Sequence, residues 1–174
     1  ASALTMPWLN SVAAVVEGWY SGQDVGTAIA ALLWGDVNPS GKLPVTFPAS
    51  INDVPASTPQ QWPGDANGVQ YSEGVDVGYR WYDSRNITPM FPFGFGLSYT
   101  SFAVSNLTVG AFNANGLATV TATVKNTGSR EGAEVVQLYV GDPASAGEPP
   151  KQLRNFARVD LQPGASQTVQ FTIS

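Results

Sequence analysis

The sequence predicts an α/β segment followed by an all-β one, the second a β-sandwich. Three observations carry this. A helical repeat of apolar residues between positions 25 and 33 follows a short apolar run at 12–16. From Thr100 onward the apolar period switches from about 3.6 to 2. The 13 prolines and 18 glycines call for many turns and short strands, not a helical bundle.

The run at 12–16, closed by Glu17-Gly18, reads as a buried strand. After the turn Tyr20-Ser21-Gly22-Gln23, Asp24 is placed to cap a helix. Val25, Ala28, Ile29, Leu32 and Leu33 then fall at i, i+3, i+4, i+7 and i+8, one face of that helix. Gly35 is placed to end it in a left-handed conformation. Asn38-Pro39-Ser40-Gly41 is a turn by composition, and residues 42–47 read as a strand closed by Pro48. Residues 49–70, rich in Pro, Ser, Asn and Gly, read as a long loop, and loops of that length are usually functional or disordered. The aromatic residues from Tyr79 to Tyr82, around Arg80, read as packing against the sheet.

In the second part Thr119, Thr121 and Thr123 alternate with Val120, Ala122 and Val124, giving one polar and one buried face. Val136, Leu138 and Val140 repeat the pattern, as do Val169, Phe171 and Ile173. Asn126-Thr127-Gly128 and Gln162-Pro163-Gly164 are turn signals between strands. Phe102 and Val104 share one phase and Leu107 and Val109 the other, which a bulge near Ser105-Asn106 would reconcile. Four such strands make part of an immunoglobulin-like sandwich, which needs about seven strands and about 100 residues. The expected division is residues 1–96 and 97–174, with the sandwich unfinished at Ser174.

Composition narrows the chemistry. A hydrophobic content of 43% is enough for a packed core, so wholesale disorder is not expected. The net charge of −5 argues against nucleic acid and against an anionic membrane surface, both of which recruit Lys and Arg. No apolar run reaches the roughly 18 residues of a membrane span. Ala1 opens without a basic or apolar leader, which fits a mature or internal start. There is no cysteine and no histidine, so disulfides, Cys or His metal ligation, thiol nucleophiles and a Ser-His-Asp triad are excluded. No cofactor or metal is expected. Gly41-Lys42 lacks the phosphate-loop frame, Gly94-Phe95-Gly96 lacks the third glycine of a dinucleotide site, and Ser21 is outside a G-x-S-x-G elbow. The scattered aspartates form no calcium loop. Asn86-Ile87-Thr88 and Asn106-Leu107-Thr108 match the glycosylation sequon, a motif common by chance.

Four residues are candidates for a site. Glu73 and Asp76 are the carboxylates nearest the long loop, but acid–base work by a carboxylate pair needs both carboxyls facing one cleft. Three positions apart on an extended segment they point to opposite faces, and Arg80 is placed to pair one of them. Trp62 in the loop is a candidate substrate-stacking ring and Tyr71 its neighbouring aromatic; packing or an interface is the commoner fate of such side chains.

With these residues in view, the chain resembles the C-terminal portion of a glycoside hydrolase family 3 β-glucosidase. Met6-Pro7-Trp8-Leu9, Trp19-Tyr20-Ser21-Gly22-Gln23, and the stretch from Leu33-Trp34-Gly35-Asp36 through Gly41-Lys42-Leu43-Pro44 carry the resemblance. Tyr71-Ser72-Glu73-Gly74, Val77-Gly78-Tyr79-Arg80, and Phe93-Gly94-Phe95-Gly96-Leu97-Ser98-Tyr99-Thr100 continue it. Asn126-Thr127-Gly128, Gly132-Ala133-Glu134-Val135-Val136-Gln137-Leu138-Tyr139-Val140 and Pro150-Lys151-Gln152-Leu153-Arg154 look like the family's fibronectin type III-like module. The resemblance implies a parent with a (β/α)8-like barrel, an α/β sandwich and that module. It implies a nucleophilic aspartate on the barrel and an acid/base glutamate early in the α/β sandwich, neither of which falls within residues 1–174. A barrel alone takes about 250 residues.

The implied fold class is thus the second half of an α/β sandwich plus a truncated fibronectin type III-like module. The implied role is scaffold for a retaining, extracellular enzyme that removes terminal non-reducing β-D-glucosyl residues, with no catalytic residue in this chain. The expected partners are the remainder of the parent enzyme and, through the assembly, a β-glucoside or oligosaccharide. Self-association is expected of the isolated chain. Two rivals stand beside this reading: a stand-alone carbohydrate-binding or stabilising module, and a small hydrolase with an unrelated site, which the lack of His and Cys disfavours.

Overall fold

The computed structural model describes residues 3–174. By contact the chain forms two compact units, each discontinuous in sequence: residues up to 22 with 43–95 and 141–152, and residues 23–42 with 96–140 and 153–174.

The first unit has little regular structure and is organised by aromatic rings. Phe47, 1% exposed, meets Trp19 and Phe91 edge-on at 6.3 and 6.5 Å. Tyr79 stacks on Phe93 at 4.9 Å. Helix α2 (Tyr79–Arg85) stands where sequence reading placed only an aromatic cluster; Gly78 at φ 60° precedes it and Asn86 at φ 53° ends it. The two strands expected in this unit are not formed. Residues 12–16 are exposed and pair with none of the described residues, so their apolar run lacks the ladder that would make it a strand. Residues 42–47 shrink to one antiparallel bridge, Phe47 to Phe91. Pro44 and Pro48, which lack N–H donors, bracket the stretch and keep the ladder from extending. The loop at 49–70 is bound into turns. Its first is a 3-10 turn, Ile51–Asp53, with the Ser50 amide donating to Asp53 at 2.8 Å and Ser50 Oγ accepting from the Asn52 amide at 3.2 Å.

The second unit holds helix α1 (Val25–Trp34) and five strands: β1 (Phe102–Val109), β2 (Ala118–Asn126), β3 (Gly132–Val140), β4 (Gln152–Leu161) and β5 (Ser166–Ile173). Gly35 ends α1 at φ 79°, as the sequence predicts, but the Asp24 side chain makes no cap hydrogen bond. None of the helix's residues is buried, and Leu33 and Trp34 are 59% and 79% exposed. Its C-terminal end is held by polar contacts instead. Tyr99 Oη donates to Leu32 O at 2.8 Å and Arg130 Nη2 to Gly35 O at 2.6 Å. Asn38 Oδ1 accepts from Ser98 Oγ and the Tyr99 amide, both at 2.8 Å, while Nδ2 donates to Glu131 O at 2.8 Å.

Strands β1, β2 and β5 form one antiparallel sheet in that order, and β3 and β4 a second. One core joins them: Val120, Ala122 and Val124 of β2, Val136 of β3, Val159 and Leu161 of β4, with Val169 and Phe171 of β5. Inward residues alternate along β2 as the threonine pattern requires. The register of β1 against β2 shifts between Ser105 and Thr108, with Asn106 at φ 53°. That is the bulge the phase change predicts. Val104 thereby opposes Val124, and Val109 opposes Val120, on one face. Strand β4 is the fifth, one more than the sequence pattern delivers. Its inward pair Val159 and Leu161 comes only after the alternation is broken by an exposed Phe156.

Candidate functional site

The long loop and α2 lie in the first unit, and their order begins with a buried amide. Gln61 is 7% exposed, and its Oε1 accepts from Thr58 N and Oγ1 at 3.2 and 3.0 Å. Its Nε2 donates to Ser72 Oγ at 3.1 Å and to Glu73 Oε2 at 3.5 Å. Backbone bonds from Trp62 N to Thr58 O and from Gln70 N to Gln60 O, 2.9 and 3.0 Å, complete the tie. The two flanking aromatics are left in solvent: Trp62 is 71% exposed and Tyr71 81%.

The candidate carboxylates have different partners. Glu73 is engaged by Gln61, and Asp76 pairs with Arg85 Nη1 at 3.1 Å. The Arg85 guanidinium also lies 3.4 Å over the Trp81 ring, whose Nε1 donates to Asp53 O at 2.8 Å. The segment carrying both acids is a turn, with amides of Gly74 and Asp76 donating to Tyr71 O and Glu73 O, so the extended geometry expected there is replaced. The pairing expected of Arg80 belongs to Arg85. No group of three or more acidic, His or Cys side chains among the described residues is placed to hold a metal.

Beside this cluster is a cleft of about 410 Å³ that sequence reading did not find. Pro44, Val45, Val54, Pro55, Val77 and Phe93 give it an apolar wall. Arg80 and Tyr82 of α2 also line it. Tyr82 is 5% exposed, and burial, followed by the nearby Asp53 charge, raises its phenol above the usual value, so it stays protonated and able to donate. Also on α2, Asp83 Oδ2 is buried with Lys151 Nζ 3.3 Å away as its ionic partner. The signal for this cleft was available only as Val77-Gly78-Tyr79-Arg80, which carries no periodicity of its own.

Residues 1–99 match the glycosyl hydrolase family 3 C-terminal domain. The chain belongs to that family. In this family 3 chain, residues 134–174 further match a fibronectin type III-like domain. Its α/β portion followed by a two-sheet sandwich accords with both assignments. A β-glucosidase from Rhizobium radiobacter is 48% identical over 98% of this chain and 21% of its own length. The thermostable β-glucosidase B of Acetivibrio thermocellus is 45% identical over 99% of the chain and 23% of its own. Among solved structures, DesR, a β-glucosidase from Streptomyces venezuelae in complex with D-glucose, superposes with a TM-score of 0.94 at 46% identity, covering 99% of this chain and 22% of that one. β-Glucosidase 3B from Thermotoga neapolitana in complex with glucose gives 0.90 at 37% identity, with 99% and 24% covered. The family 3 chain therefore spans less than a quarter of the length of these relatives.

Proposed function

We propose that this chain is the C-terminal portion of a retaining β-glucosidase acting on terminal non-reducing β-D-glucosyl residues. In this reading residues 1–96 complete an α/β sandwich, residues 97–174 form the fibronectin-like module, and the whole is scaffold without a catalytic carboxylate. The observation that carries it is a match running over 98% of the chain to a protein named as a β-glucosidase. The separate commitments of Glu73 to Gln61 and Asp76 to Arg85 support the scaffold role. A retaining site needs two carboxyls about 5–5.5 Å apart across the scissile bond, one as nucleophile and one as acid. The remaining polypeptide would supply both, and the working assembly would be extracellular.

The role is tested in a longer family 3 polypeptide containing this segment. Glu73→Gln and Asp76→Asn are expected to leave kcat on an aryl β-glucoside within about tenfold, since neither performs proton transfer, which alone is worth about a hundredfold or more. A loss of a thousandfold in either variant, with folding intact, would assign that carboxylate to the chemistry.

The exposure of Trp62 and Tyr71, 71% and 81%, favours a second reading, a non-catalytic carbohydrate-binding or stabilising module. Flat aromatic faces on a loop fixed from beneath by Gln61 suit stacking on pyranose rings. Retention of the chain on insoluble β-glucan, lost in Trp62→Ala, would support it; free passage through the matrix would remove it.

A further inference from the structure

The cleft beside α2 contains polar groups that nothing in the described chain answers. The Arg80 side chain makes no hydrogen bond or ion pair among the described residues, and its guanidinium lies only over its neighbour's ring, 5.8 Å from the Tyr79 centroid. By contrast Arg85, Arg130 and Arg158 each reach an oxygen at 3.1, 2.6 and 2.6 Å. The acids nearby in sequence are engaged elsewhere: Asp53 with the Ser50 amide, Glu73 with Gln61, Asp76 with Arg85 and Asp83 with Lys151. Tyr82, 5% exposed, lines the same cleft, and its hydroxyl has no hydrogen-bond partner among the described residues. Arg80 is only partly buried, and neither its guanidinium nor the Tyr82 hydroxyl is sealed from water. A ligand entering the cleft would displace that water and must supply acceptors in its place.

We propose that this cleft seats an acidic side chain flanked by apolar ones, carried by polypeptide outside residues 1–174, with Arg80 as its counter-charge. Two facts select that occupant. A carboxylate matches a guanidinium in charge and in forked geometry, while apolar neighbours match the walls. The relatives are more than four times as long as the part this chain matches, so ample polypeptide exists to supply the segment. A volume of about 410 Å³ takes a few side chains, not a folded domain. The inference rests on the reading of the chain as part of a longer enzyme, and extends it to a specific seat.

The test is a titration of the isotope-labelled 174-residue chain with acetyl-Phe-Asp-Leu-amide, followed by amide NMR shifts. The Asn counterpart of that peptide and cellobiose are run beside it. Saturable shifts are expected at Val45, Val77, Gly78 and Tyr82 with the Asp peptide. Binding of the Asn peptide is expected to be weaker by about tenfold or more, the scale set by losing one member of a desolvated charge pair. Arg80→Met should erase the difference between the peptides, and Arg80→Lys should restore part of it. Equal binding of the two peptides, no saturable shift, or shifts of the same amides by cellobiose would overturn the proposal. If Arg80→Met does not fold, the comparison of Asp and Asn peptides on the unmodified chain decides. Glucoside hydrolysis plays no part in this readout, so its failure and the failure of the enzymatic reading are separable.

Discussion

Asn126→Ala is expected to destabilise the β-sandwich unit by about 3–5 kcal/mol, the largest effect of any single side chain considered. Asn126 is fully buried, at 0% exposure. Its Nδ2 donates to Arg130 O at 2.7 Å and to Leu161 O at 2.9 Å. Its Oδ1 accepts from Thr100 Oγ1 at 2.8 Å and from the Gly128 amide at 3.1 Å. One amide thus uses all four of its hydrogen-bonding positions, tying the end of β2 to the entry of β1, the following turn and the end of β4. Truncation removes these bonds and strands the Leu161 carbonyl in the interior, and each buried group left unpaired costs about 1–3 kcal/mol. In a chain of this size the midpoint of thermal unfolding should fall on the order of 10 °C. Asn126→Asp should be as damaging, because it preserves shape and acceptors but aims an oxygen at two carbonyls. Urea unfolding of both variants checks this; a loss below about 1 kcal/mol in Asn126→Ala would show that the network relaxes at little cost.

Gly96→Ala is the second large effect, expected at about 3 kcal/mol from steric overlap alone. A Cβ at Gly96 would collide with the backbone carbonyl of Gly41 and press on Lys42 Cδ at 3.0 Å. Backbone cannot swing aside as a side-chain tip can. The displacement would also disturb Lys42 Nζ, which donates to Gly96 O at 2.9 Å and pairs with Glu134 at 2.9 Å. Lys42 and Glu134 are only 16% and 19% exposed, so loosening that pair is felt more than at the surface. Gly26→Ala is the internal control. It lies within α1, a Cβ there meets nothing within 4 Å, and the change should stabilise by about 0.5–1 kcal/mol. The two substitutions are chemically identical and should move the unfolding midpoint in opposite directions. Both moving it upward would mean that the Gly41–Gly96 approach is looser than described.

What was legible in the sequence was whatever a local rule decides. Gly35 ends α1 because only a left-handed residue closes that helix, and the phase change between Val104 and Leu107 called for a bulge if Val104 and Val109 were to oppose β2 on one face. The first unit was less legible because its order comes from partners distant in the chain. Residues 42–47 have the apolar character of a strand, yet with Pro44 and Pro48 in place only Phe47 finds a bridge. Tyr79–Arg85 has neither an apolar stripe nor a capping side chain, and is fixed by Tyr79 on Phe93 and by Trp81 bonding Asp53.

The site shows the same divide. Trp62 and Tyr71 stood out by residue type alone, and the structure leaves both rings in solvent. Gln61, which fixes that loop, carries no signal in a segment of Pro, Gln and Gly, because its role exists only once Ser72 and Glu73 have come beside it. Asn126 was legible as a turn marker but not as a buried hub, since its four partners lie up to 35 positions away. Arg80 was expected to meet Glu73 or Asp76 on a straight segment; the turn at 71–76 hands Asp76 to Arg85 instead.

The most direct measurement is turnover of p-nitrophenyl β-D-glucoside by the purified 174-residue chain, with a longer family 3 enzyme as positive control. The scaffold role predicts hydrolysis no faster than buffer for the chain and ready turnover for the control. Hydrolysis at enzymatic rates by the chain alone, abolished in Glu73→Gln or Asp76→Asn, would contradict it and place a working carboxylate site within these residues.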